Sequence, residues 1–514
     1  MLVKSFGSAT QGIDANIITI EVNHAPGAEF GYNMVGLPEG AVRESYARVF
    51  TALRNNEYDI PRGKLTVNLA PADIRKEGSA YDLPIAIGIA AASGHLNGEM
   101  VSQYLIMGEL SLDGSLRPIK GALPIAVEAR KLGYKGFILP QANASEAAIV
   151  NSLDVIPVNH LIEAVRFLDG TEPIAPLVKD TREVFEQAQD NFLHDFADVK
   201  GQENVKRALE VAAAGGHNAI MIGPPGAGKT MLAKRMSGIL PPMSLHEALE
   251  TTKIHSVAGM LPEQATLVAH RPYRAPHHTI SDVALVGGGT NPSPGEISLA
   301  HNGVLFLDEL PEYKRSVLEV LRQPLEDRMV TVSRARLSVD FPANFMLVAS
   351  MNPCPCGYYN HPDKQCVCGP QQVQRYLSRI SGPMMDRIDL HIEVTPVRFE
   401  ELTSRSRGES SEDIRARVIA ARDRQLKRFE EFPGIFCNAM MPAPLARKVC
   451  QIDSHGEMIL KVAMRKLDLS ARAFDRILKV ARTIADLADL PDILSEHLAE
   501  AIQYRSLDRD SWVG

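Results

Sequence analysis

The feature that most constrains this chain is a glycine-rich segment between a short apolar run and a helical run. Ala219–Ile222 (AIMI) is typical of a buried strand, and Gly223–Thr230 (GPPGAGKT) leads directly into a helix-forming stretch. Glycines let backbone N–H groups turn inward around an anion, and the helix N-terminus adds its positive dipole end. A strand, a loop and a helix in this order match a phosphate-binding loop. The sequence therefore predicts an α/β domain with a parallel sheet around a nucleotide site.

The residues of this P-loop receive separate predicted roles. Lys229 is expected to reach the β- and γ-phosphates, and Thr230 is expected to bind Mg²⁺. The remaining positions are expected to surround the phosphates with their backbone; they are Gly223, Pro224, Pro225, Gly226, Ala227 and Gly228. The predicted cofactors are ATP and Mg²⁺.

A second apolar run ends in two carboxylates. Val304–Leu307 (VLFL) precedes Asp308 and Glu309. An isolated acidic pair is usually a solvated turn, but an apolar strand that delivers two carboxylates to its C-terminal end is the Walker B arrangement. We expect Asp308 to hold Mg²⁺ through water and Glu309 to activate the attacking water. The predicted activity is therefore ATP hydrolysis to ADP and phosphate.

Three more polar residues are candidates for this site. Asn352 follows the apolar run Phe345–Ser350 and either senses the γ-phosphate or simply forms a turn. Arg387 and Arg472 lie beside acidic residues, so composition alone favours surface ion pairs for both arginines. The residues themselves leave these alternatives open.

Composition limits the partners and the compartment. Hydrophobic residues are 45% and charged residues 23%, as in an ordinary soluble protein. The formal net charge is −7, so binding to a polyanion requires a local basic patch. The N-terminus lacks a secretory signal, and the most apolar stretch, Leu83–Ala92, is too short to span a bilayer. We expect a cytoplasmic protein without membrane contact.

The chain divides into four segments, since 514 residues exceed a single core. Residues 1–170 alternate strand-like and helical runs and predict one α/β domain. Residues 171–195 are polar and weakly periodic, as in a linker. Residues 196–397 alternate helix and strand around the nucleotide motifs. Residues 398–514 are helical and predict a small lid.

Four of the six cysteines form a cluster within residues 354–368. They make two Cys-x-Cys pairs, Cys354 with Cys356 and Cys366 with Cys368. Two thiolate pairs at this spacing predict a tetrahedral structural Zn²⁺ site. The alternative is four reduced thiols in a loop. His277 and His278, by contrast, have no ligand partner at metal-binding spacing and are interpreted as loop residues.

Several sequence blocks resemble one family along nearly the whole chain. The blocks are GPPGAGKT, RPYRAPHHTISDVALVGGG, NPSPGEISLAHNGVLFLDEL, SMNPCPCGYY, RYLSRISGPMMDRIDLHIEV and LSARAFDRILKVARTIADL. They resemble the magnesium-chelatase-like AAA+ ATPases, and more closely the bacterial ComM/YifB group. The resemblance implies a ring-forming, usually hexameric motor related to MCM helicases. It also implies DNA branch migration during natural transformation.

The resemblance also implies roles for the three polar residues. Asn352 resembles sensor 1 of the AAA+ site. Arg387 resembles the arginine finger, which acts in trans on the ATP of a neighbouring subunit. Arg472 resembles the sensor-2 arginine of the lid, which acts in cis.

Two loops resemble pore-facing elements of the related motors. Gly287–Gly295 occupies the position of the helix-2 insert. Thr331–Phe341 alternates like a hairpin and resembles the pre-sensor-1 hairpin, with Arg334 and Arg336 near its turn. These two arginines are the predicted DNA contacts. The alternative is an edge hairpin whose arginines discourage strand pairing.

The N-terminal domain resembles the Lon-protease-like domain through the blocks RKEGSAYDL and GSLRP. In the favoured alignment Ala80 replaces the nucleophilic Ser and Leu123 replaces the Lys of the Lon dyad, although Ser79 and Lys120 lie close in sequence. Since the dyad needs both groups, we expect no protease activity. The domain is expected to serve as a docking platform for the ring or for DNA.

These features favour a hexameric, ATP-driven DNA motor of the branch-migration helicase type in bacterial recombination. Its expected partners are copies of itself, branched or duplex DNA and possible recombination proteins. The alternatives are a chelatase-like ATPase that remodels a partner protein, and a Lon-type protease. DNA-stimulated ATPase activity separates the first two, and peptide cleavage tests the third.

Overall fold

The computed structural model describes residues 1–60, 62–187, 194–262, 266–289, 292–334, 337–359, 361, 363–397, 401, 407–467 and 469–505. The strands are β1 (Leu2–Gln11), β2 (Asp14–Pro26), β3 (Gly31–Val35), β4 (Gly63–Ala70), β5 (Tyr104–Ile106), β6 (Glu109–Leu110), β7 (Leu116–Arg117), β8 (Gly136–Pro140), β9 (Asp154–Val158), β10 (Ala219–Ile222), β11 (Tyr273–Arg274), β12 (Gly287–Gly288), β13 (Ser293–Pro294), β14 (Val304–Leu307), β15 (Met329–Arg334), β16 (Leu337–Pro342), β17 (Met346–Met351) and β18 (Leu390–Glu393).

Helices connect and cover these strands. The α-helices are Gly40–Arg43, Ser45–Asn55, Asp82–Ala92, Gly98–Val101, Ala122–Lys131, Gln141–Ala147, Leu161–Asp169, Thr181–Gln187, Glu203–Gly215, Lys229–Ile239, Leu245–Ala258, Asp282–Val286, Glu296–Leu299, Arg315–Glu319, Pro324–Asp327, Pro370–Leu377, Gly382–Met385, Ser411–Arg428, Ala443–Val449, Ser454–Lys466, Ala471–Leu487 and Ser495–Gln503. Within the described ranges, every helix is too short or too polar to cross a membrane.

The N-terminal unit is built on a seven-stranded sheet in the order β3-β4-β2-β1-β5-β8-β9. β1 and β2 form a long antiparallel hairpin, whereas β5, β8 and β9 run parallel to each other. The helix Asp82–Ala92 is buried at every position, as its apolar composition after Asp82 requires, and it packs on β1 and β2. This unit is therefore a mixed α/β layer structure.

The second unit contains a five-stranded sheet in the order β11-β14-β17-β10-β18. All of its neighbouring strands pair in parallel. In a parallel sheet the carboxyl ends of the strands meet at one edge, where ligands bind. The segments after β10, β14 and β17 therefore lie side by side. The expected fold class, an α/β core with a parallel sheet and a helical C-terminal region, is confirmed.

The C-terminal helices pack on the flank of this sheet. Ser411–Arg428 and Ala471–Leu487 both contact the helix Glu203–Gly215. The helix Ala471–Leu487 begins where Ser470 caps it by accepting a hydrogen bond from the N–H of Ala473. Its buried face, which includes Ile477 and Ile484, joins the core of the second unit.

The two units share apolar packing. Met243, Ala248 and Leu267 of the second unit belong to the same buried cluster as the helix Ala122–Lys131 of the first. The segment 171–195, which the sequence predicted to be a linker, contains the helix Thr181–Gln187. Lys179 just before it donates a hydrogen bond to the Thr266 hydroxyl at 2.8 Å. The described part of the connecting segment is therefore bonded to the second unit.

Candidate nucleotide site and cysteine centre

The P-loop connects the buried strand β10 to the helix that begins at Lys229. Gly226 and Gly228 have φ angles of +80° and +86°, which favour glycine because L side chains are strained in this region. A Cβ atom on Gly226 would meet no atom within 4 Å, so the glycine faces open space. The loop has the backbone conformation needed to direct N–H groups toward a phosphate.

Lys229 joins the P-loop to the end of strand β17. Its ammonium donates to the carbonyls of Gly223 and Pro224 at 2.8 and 3.0 Å, and to Oδ1 of Asn352 at 3.1 Å. Burial lowers the pKa of Lys229, while the carboxylates of Asp308 and Glu309 act in the opposite direction. Asn352 thus lies within hydrogen-bond reach of the residue predicted to bind the γ-phosphate.

The oxygen ligands expected for Mg²⁺ lie next to each other. The Thr230 hydroxyl donates to Oδ2 of Asp308 at 2.7 Å, and the Ser350 hydroxyl donates to Oδ1 of the same carboxylate. Mg²⁺ prefers hard oxygen ligands and retains several of its waters. A hydroxyl and a carboxylate in direct contact at the end of the sheet fit this requirement.

Glu309 lies at the turn that follows strand β14. Its φ angle is 53°, an unfavourable conformation for a non-glycine residue and one that is frequent at functional sites. Its side chain is 56% exposed, and its Oε2 lies 3.4 Å from Nδ1 of His278. The carboxylate is therefore open to water while one histidine contacts it.

Arg387 is held within its own chain. Its guanidinium pairs with Glu326 at 2.5 Å and donates to the carbonyls of Arg322 and Pro383 at 3.2 and 2.7 Å. Only 7% of the residue is exposed. The neighbouring Asp386, offered by the sequence as its surface partner, is not the residue it pairs with.

Arg472 lies exposed in the first turn of the helix Ala471–Leu487. Asp475, its possible partner by sequence, instead accepts from Arg447 at 3.1 Å. Within the described ranges Arg472 has no ion pair, so its guanidinium is accessible.

The predicted DNA contacts cannot be located in the same way. Strands β15 and β16 form the antiparallel hairpin that the sequence predicted. The backbone of Arg334 pairs opposite Leu337, and Arg336 lies outside the described residues. The assignment of both arginines to DNA stays a prediction.

The four clustered cysteines converge on one point. Their Sγ atoms all lie within 4.8 Å of one another, and three of the separations are 3.3, 3.5 and 3.7 Å. Zn–S bonds of about 2.3 Å in a tetrahedron require sulfur separations of about 3.8 Å. A disulfide would require about 2 Å. The sulfur positions therefore fit a Cys₄ zinc site, with ligands Cys354, Cys356, Cys366 and Cys368.

The thiolate form is favoured at Cys356, whereas burial raises the pKa of the other three thiols of the centre. Burial raises the pKa of Cys356, but hydrogen bonds from the backbone at Tyr358 and Val367 outweigh burial and bring the pKa to about 6. The N–H of Cys368 also points to the sulfur of Cys366 at 3.4 Å. Such bonds to the ligands accompany metal sites.

The cysteine centre abuts the P-loop. Gly357 has a φ of +83°, and a Cβ atom there would lie 2.5 Å from Cδ of Pro225. Only glycine permits this approach without displacing one of the two loops. The loop that carries the cysteines therefore packs directly against the loop predicted to bind phosphate.

The positions of the Lon dyad carry no proteolytic pair. Leu123 is completely buried in an apolar cluster, and Ala80 packs against the same cluster. The Ser79 hydroxyl bonds to the Glu109 carboxylate. The side chain of Lys120 lies beside Gly259 of the second unit.

Two residues of the site were missed in the sequence. Ser350 ends an apolar strand, and a single hydroxyl in that run was the available signal. His278 was interpreted as a loop residue, because its contact with Glu309 joins segments that are distant in sequence. Only the order of strands in the sheet, with β11 beside β14, brings them together.

Comparison with known proteins identifies related chains. The family model described as magnesium chelatase, subunit ChlI, matches residues 195–402. The model for subunit ChlI of Mg-chelatase matches residues 20–143, and the model for the ChlI C-terminal region matches residues 408–505.

Individual relatives extend along almost the entire chain. The protein YifB of Escherichia coli K12 is 46% identical over 98% of this chain and 96% of its own length. The competence protein ComM of Haemophilus influenzae Rd is 44% identical over 98% of this chain and 97% of its own length. The magnesium-chelatase 38 kDa subunit of Rhodobacter capsulatus is 28% identical over 31% of this chain and 50% of its own length.

Proposed function

The chain belongs to the ComM/YifB group of magnesium-chelatase-like proteins, and we propose that it is an ATP-driven motor that moves DNA strands in bacterial recombination. The motor is a hexameric ring of identical chains, and its substrate is branched or duplex DNA. ATP hydrolysis is the part of this proposal that the family assignment suggests most directly.

One observation supports the proposed ATP hydrolysis most strongly. The P-loop lysine, the P-loop threonine, the Walker B aspartate and Asn352 meet at one edge of the sheet. Lys229 and Asn352 are joined at 3.1 Å, and Thr230 and Asp308 at 2.7 Å. These residues lie in segments that follow three different strands of the sheet. The arrangement supports a shared phosphate and metal site.

The reaction follows from this arrangement. Lys229 binds the β- and γ-phosphates, and Asn352 holds the position of the lysine and of the γ-phosphate. Thr230 and Asp308 would hold Mg²⁺, which would supply positive charge beside the phosphates. Glu309 accepts a proton from the attacking water, which lies on the open side of its carboxylate. Arg387 of a neighbouring chain stabilises the charge of the transition state, and Arg472 contacts the nucleotide from the lid.

The action on DNA rests on the relatives and on the predicted hairpin. The chain matches the competence protein ComM along nearly its whole length, which supports a role in natural transformation. In a ring, a few arginines repeated around a pore make a basic strip despite the acidic net charge. Arg334 and Arg336 are proposed to supply that strip.

A chelatase-like remodelling ATPase is the second candidate. The match to the magnesium-chelatase 38 kDa subunit favours it, since that protein is a subunit of a larger enzyme. In this case ATP hydrolysis would drive a partner protein, and DNA would not change the rate.

One assay separates the two candidates. ATP hydrolysis is measured without DNA and with single-stranded, duplex and four-way-junction DNA. The motor predicts a higher rate with DNA, most clearly with the preferred DNA structure, and the Lys229→Ala variant controls for contaminating ATPases. Equal rates in every condition would favour the remodelling ATPase, and no hydrolysis by the wild-type protein would refute both.

A further inference from the structure

The carboxylate predicted to activate water needs a partner that fixes its direction. The side chain of Glu309 is more than half exposed, and the residue lies in a strained turn. A freely rotating carboxylate spends little time aimed at one water. Within the described residues, its Oε2 has a polar contact with Nδ1 of His278 at 3.4 Å. That distance is long for a hydrogen bond, but such bonds tighten when substrate binds.

The loop that carries His278 is held in place on both sides. The Tyr313 hydroxyl, from the segment after Glu309, donates to the carbonyl of Pro276 at 2.5 Å. At the base of the loop, Arg274 and Glu296 form a double hydrogen bond of 2.6 and 2.7 Å. A bidentate pair of this kind fixes both distance and orientation. The loop therefore presents its histidines from a defined position.

The two adjacent histidines have different surroundings. Nδ1 of His277 lies 3.0 Å from the Thr279 hydroxyl, whereas Nδ1 of His278 faces Glu309. Their rings are 4.1 Å apart, so His277 also supports the ring of its neighbour. Only His278 has a polar link to the Walker B residue.

We propose that His278 is a positioning residue for ATP hydrolysis: its Nδ1–H donates to Oε2 of Glu309 and leaves Oε1 free to accept the proton of the attacking water. The inference rests on the proposed hydrolysis at the P-loop and is independent of DNA. His278 changes no bond itself, and it acts by holding Glu309 in the reactive orientation.

The test compares His278→Ala, His278→Asn and His277→Ala with the wild-type protein in steady-state ATP hydrolysis and in binding of a fluorescent ATP analogue. His278→Ala is expected to lower kcat by about tenfold or more, as for loss of a hydrogen bond to a charged group. The affinity for the analogue stays unchanged, because the P-loop is intact. The amide of His278→Asn restores a donor near the Nδ1 position and recovers much of kcat. His277→Ala stays much closer to the wild-type rate than His278→Ala.

Glu309→Gln separates this inference from the proposed function. An inactive Glu309→Gln variant beside a fully active His278→Ala variant would overturn the positioning role and leave the proposed hydrolysis standing. Equal losses in His278→Ala, His278→Asn and His277→Ala would show a general effect of the loop and would also overturn the role. Wild-type hydrolysis by Glu309→Gln would refute the hydrolysis assignment, and the role of His278 with it.

Discussion

At the scale of single residues, Arg387 makes a contact that its sequence motif does not predict. The family resemblance implied that Arg387 lies near the nucleotide of a neighbouring subunit, and the structure pairs this largely buried arginine with the more exposed Glu326. The sequence could not predict this pair, because no local pattern links residues so far apart. An arginine finger must exchange this internal partner for a phosphate when the ring forms.

If Arg387 is an arginine finger, Arg387→Ala should cause a large loss of ATP turnover and Glu326→Gln a small one. Arg387→Ala should lower ATP turnover by roughly three orders of magnitude, whereas Glu326→Gln keeps the guanidinium available. Steady-state ATP hydrolysis by the assembled variants provides the measurement. Equal losses in the two variants would assign Arg387 a structural role through Glu326.

Mixed rings give an independent check of the same assignment. Arg387→Ala and Glu309→Gln damage opposite sides of a subunit interface, so co-assembled mixtures should recover part of the activity. Mixtures that co-assemble and recover none would count against action in trans.

At the scale of elements, local sequence patterns predicted the individual helices and strands better than the contacts between them. The strands Ala219–Ile222 and Val304–Leu307 have the bounds expected from their apolar runs, and the helix Ala471–Leu487 lies in the region predicted to be helical. Apolar periodicity and capping are local signals, which a sequence displays directly. The contact that ties this helix to strand β18 involves residues distant in sequence, and no local signal marked it.

That contact is centred on Asp389, immediately before strand β18. Its carboxylate pairs with Arg476 of the helix Ala471–Leu487 and with Nδ1 of His217 at 3.3 Å. Burial alone would raise the pKa of Asp389, but Arg476 and His217 lower it well below its ordinary value. The charged form therefore stabilises the attachment of the helical region to the core.

Asp389→Asn is expected to lower the melting temperature at pH 7 by about 5 °C or more, as for a broken buried ion pair. A depressed carboxyl pKa contributes stability above its unfolded value of about 3.9, and this contribution is lost as the pH falls further. The difference between wild type and variant should therefore narrow as the pH falls below about 4. Scanning fluorimetry across pH measures it, with Asp386→Asn as the control. A difference in melting temperature that stays constant with pH would exclude the charge of Asp389 as its cause.

The cysteine centre makes a second prediction at this scale. Protein purified without chelators should contain about one Zn²⁺ per chain. Cys356→Ser and Cys366→Ser should lose it, while Cys450→Ala, outside the centre, should retain it. Elemental analysis gives the metal content, and absence of metal from the wild-type protein would leave a loop of free thiols.

Removal of the metal should also affect the nucleotide site. Gly357 of the cysteine loop packs on Pro225 of the P-loop, so loss of the metal should weaken ATP binding. Titration of a fluorescent ATP analogue into metal-free and zinc-restored protein measures this link. Identical affinities would show that the two loops are in contact without being coupled.

At the scale of the whole molecule, the sequence of a single chain says least about the proposed ring and about its contact with DNA. Composition excluded a general attraction to DNA, and the resemblance supplied the hairpin as the contact. Ring geometry depends on surfaces between copies, which neither periodicity nor a local motif describes. The predicted DNA contacts must therefore be tested by removing the positive charges of the hairpin.

Arg334→Ala combined with Arg336→Ala should weaken binding to all DNA sequences alike and flatten the dependence of affinity on salt, because phosphate contacts release counterions. DNA stimulation should fall while basal ATP hydrolysis stays intact. Fluorescence anisotropy over a range of salt concentrations measures the binding. The control is Arg447→Ala combined with Lys448→Ala, two exposed residues of the C-terminal helical region. An equal effect of both double variants would reject the hairpin as the DNA contact.

The central claim is that ATP hydrolysis at the P-loop drives DNA movement, and strand exchange in a fluorescently labelled four-way junction tests it most directly. Wild-type protein with ATP and Mg²⁺ should resolve the junction into its duplex products. Glu309→Gln should bind both ATP and the junction and leave the junction intact, because it retains the phosphate and metal ligands and lacks the base. Junction movement by Glu309→Gln at the wild-type rate, or an active wild-type ATPase that never moves the junction, would contradict the account.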